Sequence, residues 1–134
     1  MAALTIKARV ENLNAVLAFV DAELEKLDCP IRAQMQIDVA VEELFVNIAH
    51  YAYAPGEGDA RIAVTADGQD VEIEFRDSGV PYDPLAKADP DVSLSAEERQ
   101  IGGLGIFMVK KTMDEVSYRR ENGENILTIR KKLS

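Results

Sequence analysis

Hydrophobic and polar residues alternate along five short segments of the chain, and alternation with a period of two predicts β-strands. The segments are residues 4–10, 60–66, 70–76, 115–120 and 126–132. Asp67-Gly68 lies between the second and third segments, and Asn122-Gly123 lies between the fourth and fifth. Both dipeptides favour tight hairpin turns. The pattern therefore predicts two antiparallel hairpins and one additional strand.

Three other segments have apolar residues at helical spacing. The first helix is predicted over residues 13–27, and either Asn12 or Asn14 can cap its start. Pro30 is suited to begin the next helix. The second and longest helix is predicted over residues 31–53, and a short third helix over residues 106–113. The buried stripe of the second helix is formed by Ile37, Val41, Leu44, Ile48 and Ala52.

Together these elements predict an α+β fold. We expect a two-layer α/β sandwich in which three helices cover one face of a mixed, mainly antiparallel sheet. The length of 134 residues fits a single domain spanning residues 1–134.

The charge and cysteine content narrow the class of partner and the compartment. A formal net charge of −9 argues against direct contact with nucleic acid, which requires a basic surface. It does not argue against a small nucleotide, since backbone amides and a metal ion can hold its phosphates. Cys29 is the only cysteine, which is consistent with a reducing cytoplasm. The sequence shows neither a signal peptide nor a run of roughly 18 apolar residues, so we expect a cytoplasmic protein without a membrane contact.

Glu43 and Asn47 lie four residues apart on the long helix, so their side chains point the same way from the edge of the apolar stripe. A carboxylate there can activate a hydroxyl group or a water molecule. An amide oxygen can bind a hard cation such as magnesium. An isolated pair of this kind is more often a solvated part of a helix, so its meaning depends on the rest of the chain.

Two glycine-containing segments supply that context. Asp77 follows a predicted strand directly and opens the segment Asp77-Ser-Gly79-Val-Pro81-Tyr-Asp83-Pro84. A buried carboxylate at this point can accept a hydrogen bond from an exocyclic amine, and Gly79 permits a close approach. Gly102-Gly-Leu-Gly105 opens the third helix, where backbone amides favour anions. Its spacing matches neither a Walker motif nor a Rossmann turn. The polar segment between the two, residues 85–101, reads as a mobile loop.

The order of these motifs resembles that of the Bergerat-type ATP-binding fold of DNA gyrase, heat-shock chaperone ATPases, histidine kinases and mismatch-repair ATPases. Closer still, the chain resembles the anti-sigma factor serine/threonine-protein kinases. The matching segments cover nearly the whole chain: Glu43-Leu-Phe-Val-Asn47, the segment from Asp77 to Pro84, and the segment from Gly102 to Val116.

The resemblance implies roles for individual residues. Glu43 would be the general base, and Asn47 would bind magnesium that bridges the phosphates of ATP. Asp77 would accept from the adenine amine, with Gly79 beside the base. The remaining ATP-binding residues implied are Asp83, Gly103, Leu104 and Gly105, and residues 85–101 would form the ATP lid.

The chain departs from the family at two positions. Tyr51 stands where many relatives have a histidine four residues after the asparagine. Ile101 stands where some kinases of the family carry an arginine directed at the terminal phosphate, and Arg99 lies slightly upstream. Both departures bear on phosphoryl transfer more than on ATP binding.

The function implied is that of an ATP-dependent anti-sigma factor that phosphorylates a serine of an anti-anti-sigma antagonist and sequesters a sigma factor. ATP and Mg²⁺ are the expected cofactors, and a homodimer is expected because relatives often pair. The alternatives are a non-catalytic, ATP-dependent binding module of the same fold, and a structural protein with no ATP affinity.

Overall fold

The computed structural model describes residues 1–86 and 103–133, with the side chains of Gly103 and Leu104 left aside. The five strands are β1 (Ala2–Lys7), β2 (Asp59–Asp67), β3 (Asp70–Asp77), β4 (Glu115–Glu121) and β5 (Glu124–Lys132). The three helices are α1 (Leu13–Lys26), α2 (Ile31–Tyr51) and α3 (Gly103–Thr112).

The strands form one sheet in the order β1-β2-β3-β5-β4, and every neighbouring pair is antiparallel. The predicted antiparallel character is confirmed, and among the described strands no parallel pair makes the sheet mixed. The two predicted hairpins join β2 to β3 and β4 to β5. Their turns place Gly68, Asn122 and Gly123 at φ values of 63°, 53° and 80°, a region that glycine and asparagine tolerate best.

The strand register lines up one apolar row across the sheet. Leu4, Ile62, Phe75, Leu127 and Tyr118 are successive partners from β1 to β4. Because side chains alternate between faces, all five lie on the same face. The helices pack on that face, as the three helices and these strands share one core. The prediction of helices covering one face of the sheet is thus confirmed.

Helix α2 lies at the centre of the helical layer, with contacts to both α1 and α3. Its side chains Ile37, Val41 and Phe45 are fully buried. Full burial of a side chain of this kind contributes roughly 1.5–3 kcal/mol, so α2 is held firmly against the sheet. The predicted stripe is confirmed through Leu44 and Ala52, which are 2% and 4% exposed.

Several element ends differ from the predictions. β1 ends at Lys7 because a 3-10 turn begins at Val10. α2 ends at Tyr51, two residues before the predicted end. Asn12 occupies the N-cap of α1, but its side chain makes no cap hydrogen bond and instead donates to the Lys7 carbonyl at 2.9 Å. The predicted side-chain cap at Asn12 is therefore wrong.

Only the start of the predicted lid lies within the described residues. Pro84, Leu85 and Ala86 form a 3-10 turn. Arg99 and Ile101 lie outside the described residues. No helix in the described part of the chain is both long and apolar enough to cross a membrane.

Candidate functional site

Glu43 and Asn47 lie half-buried on α2, beside the fully packed residues Leu44 and Phe45. The α-helical spacing carries both polar side chains to the same edge of the core, as the sequence predicted. The Asn47 side chain lies close to the Glu43 carboxylate and favours its ionised form. Because only its amide nitrogen can donate, the Asn47 oxygen is left to accept from or coordinate another group.

The surroundings of Glu43 raise its pKa above the usual value for glutamate. Burial is the main cause, the Asn47 side chain opposes it, and the neighbouring Glu42 carboxylate adds to it. A raised pKa moves a carboxylate towards neutral pH, where it accepts a proton more effectively from a substrate. The position therefore suits a general base.

Gly105 on α3 lies directly against the Glu43 carboxyl group. A Cβ atom added at Gly105 would overlap the carboxyl carbon and both oxygens. A side chain at residue 105 would therefore displace the Glu43 carboxyl group from its observed position. Gly103 and Leu104 form the first residues of α3, where backbone N–H groups lack partners within the helix and favour anions.

Asp77 is the last residue of β3 and is only 6% exposed. Its Oδ1 accepts from the backbone N–H of Gly79 and from the Asn125 amide, both at 2.9 Å. The loop then meets the end of α2, where the Val80 N–H donates to the Ala52 carbonyl at 2.8 Å. A Cβ at Gly79 would overlap that carbonyl group, so a glycine is needed at the closest approach.

Asn125 is a site residue that the sequence did not indicate. It is the β5 partner of Asp77 in the strand register and is 5% exposed. It lies two residues before Leu127, so it occupies an inward position where the alternating pattern would place an apolar side chain. A polar residue at that position was the available signal, but the predicted strand began one residue later.

A pocket opens between α2 and the ends of β3, β4 and β5. Its wall is mainly apolar, with three polar side chains from Asn47, Asp77 and Asn125, a composition typical of small-molecule sites. The other lining residues are Leu44, Ile48, Ala52, Phe75, Tyr82, Pro84, Tyr118 and Leu127.

Tyr51 contacts this wall from outside. Its ring stacks on Tyr82, with the centroids 5.5 Å apart, and His50 meets Tyr51 edge-on at 6.0 Å. The residue that replaces the histidine of the resembled family therefore packs against the pocket.

Asp83 has an identifiable structural role. Its Oδ1 accepts from the Leu85 N–H at 2.9 Å and so holds the turn after the pocket. It is not among the pocket-lining residues of the described chain, and its assignment to ATP stays a prediction.

The donor set fits a magnesium ion carried in with a nucleotide better than a resident metal. Within residues 1–86 and 103–133, no group of three or more His, Cys, Asp or Glu side chains is arranged to hold a metal. Magnesium usually keeps several waters and uses few protein ligands alongside phosphate oxygens. The hard amide oxygen of Asn47 meets that requirement.

The fold and the site define an α+β domain with an apolar pocket, a half-buried carboxylate beside it and a helix that begins at glycine, as in proteins that bind nucleotides. Residues 6–131 match the histidine kinase-like ATPase domain family. The chain belongs to this family.

Named relatives lie in the same family. The chain is 28% identical over 99 residues to the serine/threonine-protein kinase BtrW of Bordetella bronchiseptica, a match that covers 73% of this chain and 70% of BtrW. It is 28% identical over 93 residues to the serine-protein kinase RsbW of Bacillus cereus, covering 66% of this chain and 58% of RsbW. It is 23% identical over 125 residues to the anti-sigma F factor of Clostridium acetobutylicum, covering 93% of this chain and 87% of that protein.

A solved structure shows the same fold. The crystal structure of the RsbU and RsbW domains of a Mycobacterium tuberculosis protein superposes with a TM-score of 0.64 at 18% identity. The superposition covers 99% of this chain and 33% of that one.

Proposed function

We propose that this protein is an ATP-binding anti-sigma factor with serine-protein kinase activity. The observation that carries the proposal is the meeting of Glu43, Asn47 and Gly105 beside a pocket that also contains Asp77. The names of the relatives BtrW, RsbW and anti-sigma F factor support the same class.

The residues divide the work of phosphoryl transfer between binding and proton removal. Asp77 accepts from the exocyclic amine of adenine through the oxygen that its protein partners leave open. The N–H groups at the start of α3, at Gly103, Leu104 and Gly105, hold phosphate oxygens. Glu43 accepts the proton of the substrate serine as that hydroxyl oxygen forms a bond to the γ-phosphorus and the bond to the ADP oxygen breaks.

Asn47 would hold Mg²⁺ through its amide oxygen while its nitrogen donates to Glu43. Bound Mg²⁺ neutralises the phosphate charge that develops during transfer. The hydrogen bond from Asn47 therefore links the position of the metal ligand to that of the base.

The proposed partners are a sigma factor and an anti-anti-sigma antagonist that carries the acceptor serine. We further propose that the protein acts in the cytoplasm and pairs as a homodimer, as the resemblance implies. Residues 85–101, most of which lie outside the described residues, would be the ATP lid that the resemblance implies.

A non-catalytic, ATP-dependent binding module is the second candidate. The observation favouring it is the presence of Ile101 where some kinases of the family have a phosphate-directed arginine. In that case nucleotide would control partner binding, and Glu43 would be dispensable.

Calorimetric titration with ATP and Mg²⁺ tests the site. The wild type is expected to bind saturably and to require Mg²⁺, and Asn47→Ala is expected to weaken the binding. Asn14→Ala, an exposed asparagine on α1, is the matched control and should bind like the wild type. Absence of binding by the folded wild type at millimolar ATP would refute both candidates.

A phosphorylation assay with candidate antagonists then separates the two functions. Labelled phosphate should appear on the antagonist and disappear when its acceptor serine is replaced by alanine. ATP binding without any transfer to a cognate antagonist would favour the binding module.

A further inference from the structure

The orientation of the Asn125 side chain is fixed by backbone groups that cannot exchange roles. Its nitrogen lies 2.8 Å from the Val80 carbonyl oxygen, which only accepts, and its oxygen lies 3.3 Å from the Tyr82 N–H, which only donates. The amide nitrogen must therefore face Val80 and the oxygen must face Tyr82.

Tyr118 completes this arrangement from β4. Its hydroxyl group lies 2.5 Å from the Asn125 oxygen, and because that oxygen only accepts, the hydroxyl group donates. The Asn125 amide now makes four hydrogen bonds: two from its nitrogen, to Asp77 and Val80, and two to its oxygen, from Tyr82 and Tyr118. The side chain has no remaining capacity to turn without losing several of them.

The fixed Asn125 amide also determines the hydrogen bonds of Asp77. With Asn125 fixed, Asp77 Oδ1 receives two donors from the protein, the Asn125 amide and the Gly79 N–H. The ligand then meets Oδ2, which as a carboxylate oxygen accepts and does not donate. An acceptor at this position favours a purine with an amino group on C6, such as adenine, over guanine, which presents a carbonyl oxygen on C6.

We propose that Tyr118 and Asn125 are positioning residues for base selection: the Tyr118 hydroxyl group fixes the Asn125 amide, and the amide presents Asp77 as an acceptor for the 6-amino group of adenine. The inference rests on the proposed function, since it concerns the nucleotide pocket. It adds residues from β4 and β5 to a site otherwise built from α2, β3 and α3.

Tyr118→Phe is the direct test, because it removes the hydroxyl group and keeps the ring that lines the pocket. Affinities for ATP and GTP are measured by calorimetry on the wild type and the variant. The wild type should prefer ATP, and Tyr118→Phe should reduce that preference by about five- to tenfold, the loss expected from one hydrogen bond. Asn125→Asp, which sets a carboxylate oxygen against Asp77 and Val80, should weaken ATP binding by more than Tyr118→Phe does.

Tyr53→Phe is the matched control. The Tyr53 hydroxyl group anchors the same loop through the Ser78 N–H at 2.8 Å and donates to the Asp59 carbonyl at 2.6 Å. Its removal should lower the melting temperature and leave the ATP-to-GTP ratio unchanged. A merely structural role for Tyr118 would give the same result as Tyr53→Phe.

The outcomes separate this inference from the proposed function. An unchanged ratio in Tyr118→Phe, an equal fall of the ratio in both tyrosine variants, or a wild type that binds ATP and GTP equally would each overturn the inference and leave ATP binding standing. A wild type that binds neither nucleotide would refute the proposed function, and this inference with it.

Discussion

Gly105 on α3 lies directly against the carboxyl group of Glu43 on α2, so that no side chain can be added at residue 105 while Glu43 keeps its position. The contact joins the residue proposed as the base to the helix proposed to hold the phosphates. A substitution at Gly105 therefore tests the position of Glu43, and a substitution at Glu43 tests its chemistry.

Gly105→Ala should impair transfer far more than folding. The atoms that the new Cβ would meet belong to the end of a flexible side chain, so Glu43 can swing away at small cost to stability. A displaced base loses much of the roughly 10²- to 10⁴-fold contribution of general base catalysis. The melting temperature and the phosphorylation rate are the two measurements. A variant with normal transfer would show that Glu43 need not occupy the observed position.

Gly79→Ala should lower the stability of the fold, in contrast to Gly105→Ala. Here the added Cβ would meet the backbone carbonyl of Ala52, which cannot move without breaking the hydrogen bond from the Val80 N–H. Overpacking of this kind typically costs about 1–3 kcal/mol. Chemical denaturation should show that loss, and a variant as stable as the wild type would contradict the tight contact. Gly68→Ala is unsuitable as a control, since its φ of 63° introduces strain of its own.

Glu43→Gln should separate ATP binding from transfer. Glutamine keeps the size of the side chain but cannot accept a proton, so transfer to the antagonist should fall by at least about 100-fold while ATP affinity changes little. Glu42→Gln on the exposed neighbouring position is the control. Transfer that survives in Glu43→Gln would exclude Glu43 as the base.

The pH dependence of transfer follows from the raised pKa of Glu43. The base acts only when it is ionised, so the rate should decline as pH falls through that pKa. Because burial raises the pKa, the decline should begin at a higher pH than an ordinary glutamate would give. A rate profile for the wild type checks this. A decline centred at or below the usual value for glutamate would contradict the assignment.

The sequence predicted those parts of the molecule that depend on local periodicity and short-range motifs. The five strands, the three helices and the pairing of Glu43 with Asn47 follow from the spacing of residues along the chain. The two hairpins follow from their turn dipeptides. Asp77 and Gly79 could be named because they lie at one end of a recognisable loop.

Asn125 could not be found in the same way, because its importance comes from the register between β3 and β5. That register places Asn125 beside Asp77, 48 residues away in the chain. Likewise, the contact between Gly105 and Glu43 depends on how α3 packs on α2. Side-chain capping at Asn12 failed as a prediction because the Asn12 backbone, at φ −94° and ψ 1°, lies outside the extended region of a capping residue, and its amide nitrogen donates to the Lys7 carbonyl.

Asp21 on α1 and Asp38 on α2 make the stability of the protein depend on pH. The Oδ1 atom of each is buried and has no hydrogen-bond partner when both groups are carboxylates, since neither can then donate. A proton on Asp38 supplies a donor to Asp21. The pKa of Asp38 is raised from 3.8 to about 7. Burial is the main cause, followed by the hydrogen bond with Asp21 and the repulsion from it. A neighbouring titratable group is the thiol of Cys29. Burial and these two aspartates raise the pKa of the thiol, which keeps it uncharged.

The sign of the effect follows from proton binding. Between about pH 4 and pH 7 the folded state keeps the proton that the unfolded state releases, so the free energy of unfolding should fall as pH rises through this window and level off above it. Asp38→Asn carries a permanent amide donor and should remove this dependence. At pH 8 the variant should be more stable than the wild type by about 1 kcal/mol, an amount reduced by the partial exposure of the pair. Denaturation at pH 5 and pH 8 measures the difference, with the exposed Glu25→Gln on α1 as the control for loss of one negative charge. A stability gain of the same size at both pH values, or in Glu25→Gln as well, would show that protonation of Asp38 does not cause the pH dependence.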